Sequence, residues 1–272
     1  MRLVLDCPPE AKDLLVAELL VAGTIGIEEE ELPGGRFRLH AFFYREATPQ
    51  RLSKQFVAYS PQLAEEPAHD WTTAWQAYWE TRSVGRRFFV VPSWSDEATP
   101  AGRLRLVMHP GLAFGTGAHP TTQLCIEAME DCVAPHHTVL DVGTGSGILC
   151  VAAALLGADR LIACDTDPIA VDVAAERLRA EALAPLVFLG SAQAVRSGCA
   201  DVAVMNISAP AAVQLAPEVA RALREDGAAV LSGFAEAETR EVAAAAEAAG
   251  LRVVESRTQQ DWSCLVCRKR GG

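Results

Sequence analysis

The segment TVLDVGTGSGILCVAAALLG, residues 138–157, constrains this chain more than any other. TVLDVG reads as an apolar strand, DVGTGSG as a glycine-rich turn, and ILCVAAALLG as an apolar helix that stops at Gly157. The alternation then continues to the end of the chain. RLIACD, LVFLGS, DVAVMNI and AAVLSGF are strands, separated by PIAVDVAAERLRAEAL, whose Pro168 opens a helix, and by APAAVQLAPEVARALRE and AEAETREVAAAAEAAG. LRVVESRT and SCLVCRK close the pattern as two further strands. Strands alternating with amphipathic helices predict an α/β fold, a doubly wound Rossmann-like sheet of seven strands. Its ligand belongs at the carboxyl ends of those strands.

Ahead of this lies a different pattern. Residues 2–7 read as a strand, 9–22 as a helix, 24–31 as a strand, RFRLHAFF as a strand with Phe37, Leu39, Ala41 and Phe43 alternating, and 48–60 as a helix. The order predicts a small α+β, ferredoxin-like domain over residues 1–68, whose natural role is a recognition module, with a purely structural appendage as the alternative. Pro61 to Pro67 reads as a loop. Residues 69–82 follow as a linker helix, with Trp71, Trp75, Tyr78 and Trp79 at spacings of three and four; such a stripe is ordinarily packing, and here it could dock on both neighbours. Residues 83–272 form the large domain, beginning with RRFFVVPSW as a strand.

With 272 residues, half of them apolar, a sizeable core is affordable. A net charge of −11 argues against gripping nucleic acid through its phosphates and suits a basic partner. The start, MRLVLDCPPEAKDLL, lacks signal-peptide architecture and no apolar run could span a membrane, so a cytoplasmic location is expected. The eight cysteines are scattered, and several fall inside apolar elements where a free thiol serves as a small hydrophobe. Cys264 and Cys267 make one C-x-x-C, but on a strand they would face opposite ways; no metal site is expected.

Three strand ends carry the candidate chemistry. In Asp141-Val142-Gly143-Thr144-Gly145-Ser146-Gly147 the glycines, Gly143 and Gly145 among them, allow close backbone approach to a ligand. The dinucleotide fingerprint is absent because the third glycine comes one residue early. Asp141 would repel a pyrophosphate and suit a ligand bearing an ammonium group. Asp165, about 22 residues after Gly143, is placed to hydrogen-bond a ribose diol; Asp167 competes for that role or caps the helix begun by Pro168. Asn206 closes the fourth strand, where its amide oxygen could accept from a reacting amine, or where it could form a simple turn with Ser208. A second glycine-rich stretch, HPGLAFGTGAHPTT at 109–122, has no obvious structural need for so many small residues.

The D-x-G-x-G-x-G loop, the second-strand acid and the fourth-strand Asn resemble a class I S-adenosylmethionine-dependent methyltransferase. PGLAFGTGAHPTT, with DVGTGSGIL, DTDPIAV, the DW-x-x-x-W linker and Trp262, closely resembles the bacterial ribosomal protein methyltransferases of the PrmA type. The resemblance covers essentially the whole chain. It implies S-adenosyl-L-methionine as cofactor, with Thr122, Gly143, Asp165 and Asn206 as its contacts and Phe114 lining the same pocket. It also implies large-subunit ribosomal protein eleven, a basic protein, as substrate, trimethylated at lysine ε-amines and at its N-terminal α-amine. Residues 1–68 would recognise that protein and the linker helix would let them swing. A monomer is expected, without direct nucleic-acid binding. The alternatives are methylation of another protein or a nucleic acid, or a non-catalytic binding module. Three positions depart from the pattern: His109 stands where an acid is expected, Ala118 replaces a polar or bulkier residue, and Ile-Ser-Ala follows Asn206. The last argues against a glutamine-amide substrate. His119 is a candidate base, or equally a brace for the loop or a cap for the next helix.

Overall fold

The computed structural model describes residues 2–22, 24, 26–33, 35–43, 47–64, 81–109 and 119–271. They fall into two compact units, Met1–Tyr78 and Trp79–Gly272. The expected linker helix lies outside the described residues, apart from its last positions at 81 and 82, which are loop and strand.

The first unit runs β1 (Arg2–Cys7), α1 (Pro9–Val21), β2 (Gly26–Leu32), β3 (Arg36–Phe42), α2 (Ala47–Gln55) and β4 (Gln62–Ala64). Its antiparallel sheet has the order β2-β3-β1-β4, which is ferredoxin-like. The register Leu3↔Ala41, Leu5↔Leu39 and Cys7↔Phe37 puts alternate residues of both central strands on one face. Leu15 and Leu19 of α1 and Leu52 of α2 cluster with that face in a single core. Two expectations are corrected. The second helix ends at Gln55 and gives way to a 3₁₀ turn at Val57–Tyr59, and the stretch read as loop supplies β4. Three residues carry no readable periodicity; β4 forms because the open side of β1 offers unpaired backbone groups.

The second unit begins with a three-stranded sheet of β5 (Arg82–Val84), β6 (Phe88–Pro92) and β7 (Leu104–Met108), in that order. Only β6 was legible beforehand. The alternation that follows comprises α3 (Pro120–Cys132), β8 (Thr138–Val142), α4 (Ile148–Leu155), β9 (Arg160–Asp165), α5 (Pro168–Ala180), β10 (Leu186–Leu189) and β11 (Ala200–Asn206). It ends with α6 (Ala209–Ala222), β12 (Leu223–Ala235), α7 (Thr239–Ala248), β13 (Leu251–Gln259) and β14 (Trp262–Lys269). The seven strands lie in the order β10-β9-β8-β11-β12-β14-β13, parallel except for β14, which runs against both neighbours.

Period-two alternation gives this sheet two apolar faces. Val139, Val204 and Val230 share a core with α3, α4 and α5, while Leu140, Met205 and Leu231 pack with α6 and α7. Cys264 belongs to the first core and Cys267 to the second, so the C-x-x-C thiols face opposite ways. The chain winds outward from β8 to β10 and then crosses back to β11. The neighbours β8 and β11 therefore form the switch point, where a doubly wound sheet opens a crevice beyond its carboxyl edge.

The small sheet is tied to this frame by Glu130 of α3. Its carboxylate is 2% exposed and accepts the backbone N–H groups of Arg86 at 2.9 Å and Arg87 at 2.8 Å. It fills the space a side chain at Gly85 would need, 2.6 Å from that position. Replacing Glu130 by Ala should cost about 2 kcal/mol of stability, for two charge-assisted hydrogen bonds lost. Urea unfolding of the two proteins measures it.

Candidate active site at the switch point

The loop after β8 turns left-handed three times within five residues: φ is +72° at Gly143, +53° at Gly145 and +76° at Gly147. Only glycine takes such angles without strain. A side chain at Gly143 would also meet Ile207 Cγ2 at 2.4 Å. Gly143 and Thr144 donate backbone N–H groups to the Cys164 carbonyl at 2.9 and 3.1 Å, which fastens the loop to β9.

Asp141 does not line the crevice. It is 1% exposed, beneath the loop, and its Oδ2 accepts the Thr144 hydroxyl at 2.8 Å. The expectation that it meets a ligand ammonium directly is therefore revised: the carboxylate acts on the site through the loop it braces. Burial pushes its pKa up to about 6, against the pull of the Thr144 hydroxyl and of Cys150.

Both Asp165 and Asp167 line the crevice, and Asp167 takes the capping role open to it. Asp167 caps α5, accepting the Ile169 N–H at 2.9 Å. Asp165 ends β9 with its carboxylate at the crevice, steadied by the N–H groups of Gly145 and Asp167, both at 3.0 Å. A carboxylate has about four acceptor positions, so both oxygens retain capacity for a diol.

Across the crevice, Asn206 ends β11 and its Nδ2 reaches Thr122 Oγ1 at 3.4 Å. Its Oδ1 is buried and has no hydrogen-bond partner among the described residues. Thr122 sits in the first turn of α3. His119 caps that helix, with Nδ1 accepting the Thr121 N–H at 3.3 Å and the ring edge-on to Trp262, centroids 4.7 Å apart. Burial lowers the His119 pKa, so the imidazole is neutral near pH 7. Of the readings open to His119, the helix cap is the one these contacts express.

These residues surround one cavity of about 840 Å³, lined by Thr122, Gly143, Gly145, Asp165 and Asn206 among others. Phe114 and the rest of 110–118 lie outside the described residues. His109 is described and exposed. Sequence reasoning missed Ser191 and Gln193 beyond β10, Gln214 on α6, and Gly233 in β12. The first two follow a strand that ends at the same carboxyl edge, which was the available signal. Gly233 was hidden: φ is +96°, and any Cβ would lie 2.3 Å from the Ile207 carbonyl oxygen.

A seven-stranded sheet of this order, with a glycine loop after its central strand and an acid closing the next, is the class I methyltransferase fold, whose methyl donor is S-adenosylmethionine. The comparisons are more specific. The family model described as ribosomal protein L11 methyltransferase (PrmA) matches residues 22–270. The ribosomal protein L11 methyltransferase of Herpetosiphon aurantiacus is 43% identical over 229 residues, covering 76% of this chain and 70% of the relative. That of Heliobacterium modesticaldum is 36% identical over 263 residues, covering 90% and 82%. A crystal structure of ribosomal protein L11 methylase from Lactobacillus delbrueckii subsp. bulgaricus superposes with a TM-score of 0.64 at 29% identity, over 71% of this chain and 100% of that one. The chain belongs to the PrmA family of ribosomal protein methyltransferases.

The buried acid makes stability depend on pH. The folded state holds the Asp141 proton up to about pH 6, while the unfolded chain releases it near 3.8. Between those values the folded state binds more protons, so stability falls as pH rises, by up to about 3 kcal/mol in all. Asp141→Asn should flatten that decline in unfolding curves taken from pH 4 to pH 7.

Proposed function

We propose that this chain methylates large-subunit ribosomal protein eleven, trimethylating lysine ε-amines and the N-terminal α-amine. The observation that carries the reading is the buried, unpartnered Oδ1 of Asn206 at the rim of a cavity whose other walls suit the cofactor. An acceptor left unsatisfied inside a protein costs free energy, and an amine N–H is the donor this site calls for.

The residues present fit S-adenosylmethionine. Gly143 and Gly145 keep side chains out of the space for its methionine end, and Asp165 offers both oxygens to the ribose. Thr122 and Asn206 stand opposite, and the family resemblance implies that Phe114 would join them. When bound, the cofactor supplies a methyl carbon on a sulfonium leaving group, so the protein needs to orient and desolvate rather than activate. Asn206 Oδ1 would hold the amine by one N–H, directing its lone pair. A lysine amine, with a pKa of about 10.4 in water, loses its proton more readily where burial disfavours the ammonium. His119 is engaged with Thr121 and the helix it caps, so no dedicated base is assigned.

Residues 1–68 would recognise the protein substrate, residues 69–82 would link, and 83–272 would catalyse. Support comes from the self-contained core of the first unit and from β2, where Glu28, Glu29, Glu30 and Glu31 are all exposed, a suitable face for a basic protein. Eight free cysteines suit the reducing cytoplasm, where we expect the enzyme to act as a monomer.

Labelled methyl transfer from S-adenosylmethionine to purified ribosomal protein eleven, read by mass, tests the function. Three methyl groups on lysine amines are expected, and an unmodified protein beside a cofactor-bound enzyme would refute it. Removing residues 1–68 should abolish that transfer while cofactor binding persists; retained methylation would refute the recognition role. Asp165→Ala should weaken cofactor binding by about 1.5–3 kcal/mol, roughly the worth of a hydrogen bond to a charged group, as read by calorimetry. Unchanged affinity would sink the ribose assignment.

A further inference from the structure

Within the glycine loop, the residues between glycines point inward: Thr144 and Ser146 are both buried. Asp141 takes the Thr144 hydroxyl. The partner of Ser146 belongs to no motif in the sequence. It is Arg177, on the inner face of α5, whose Nη1 lies 3.4 Å from both the Ser146 carbonyl and its hydroxyl. Arg177 Nη2 donates at 2.5 Å to the carbonyl of Val107 on β7.

Arg177 is an unusual core residue. It is 7% exposed, and among the described residues its Nε has no partner and its hydrogen bonds all go to neutral acceptors. Burial draws its pKa down to about 10, which leaves it cationic at neutral pH. A buried charge without a bonded counter-charge is unfavourable. Its planar fork, however, can grip two separate carbonyls at once, and charge-assisted bonds to them are stronger than neutral ones. The rest of α5 packs the loop tightly as well: a Cβ on Gly147 would touch Ala174 and Leu178 at 3.5 Å.

We propose that Arg177 is a positioning residue for the cofactor: it holds Ser146, and so the shape of the glycine loop, against the outer strand β7. The inference rests on the reading of that loop as the cofactor site. The loop is then gripped from below at alternate residues by buried groups of opposite charge, Asp141 at Thr144 and Arg177 at Ser146. The glycines between them are free to turn their backbone toward the ligand.

The test compares wild type with Arg177→Met, which keeps the apolar stem, and Arg177→Lys, which keeps the charge but not the fork. Affinity for S-adenosylhomocysteine is measured by calorimetry, melting temperature by scanning, and KM separately for cofactor and protein substrate. Arg177→Met should bind S-adenosylhomocysteine about tenfold or more weakly, with Arg177→Lys between it and wild type. KM for the cofactor should rise in step while KM for the protein stays put. Amide exchange at 143–147 should quicken in the Lys variant, a readout that stands even if the Met variant fails to fold. Melting temperatures that fall with unchanged S-adenosylhomocysteine affinity would reduce Arg177 to a structural residue and overturn the proposal. Failure of the wild-type protein to bind S-adenosylhomocysteine would instead overturn the reading of the site itself.

Discussion

The site depends on a backbone that turns left-handed at Gly143, Gly145 and Gly147 and is then held still. Left-handed angles are open to glycine but fix nothing by themselves, since glycine loses the most freedom on ordering. The loop's definition comes from what surrounds it. Two amides are bound to the Cys164 carbonyl, Thr144 to a buried carboxylate, Ser146 to a buried guanidinium, and Ile207 fills the space a side chain at Gly143 would take. The ordering cost is met by packing from β9, α5 and the turn after β11 together.

That arrangement also explains why the two acids at the end of β9 behave differently. Asp165 is the last residue of the strand, and its carboxylate is steadied by an amide from the glycine loop. Asp167, two residues later, is the N-cap of α5. Similar chemistry two positions apart thus has different surroundings: the carboxylate at the strand end faces the crevice on an amide from the loop, and the next one caps a helix. Asn206 is the counterpart across the switch point, one side of its amide engaged by Thr122 and the other left open.

Much of this was legible beforehand. The helix start marked by Pro168 and all seven strands of the large sheet follow from period and punctuation, because a sheet buried on both faces needs long apolar runs. Period and punctuation failed at β4, β5 and β7, which are short and owe their existence to neighbours. The strand-end rule offered Asp165 and Asn206 as candidates, and both line the crevice. It also placed Asp141 beside the ligand, although the side-chain alternation of β8 sends that residue under the loop. Arg177 gave no signal, since an arginine beside Glu176 and Arg179 on a mixed helix reads as part of a solvated face.

Local order in the sequence determined what was local: the alternation that makes a doubly wound sheet, the glycines that allow the turn, and the motifs that mark a PrmA-type enzyme. These rest on backbone sterics and hydrophobic period, which act between residues close in the chain. Only the tertiary structure decided which polar groups meet. Thr122 and Asn206 are 84 positions apart and Val107 and Arg177 are 70, and both contacts arise because packing of helices against strands brings segments distant in the chain together. Burial then shifted the ionisation of Asp141 upward and of Arg177 downward, because the cost of ionising a side chain is set by the protein packed around it rather than by its neighbours in sequence.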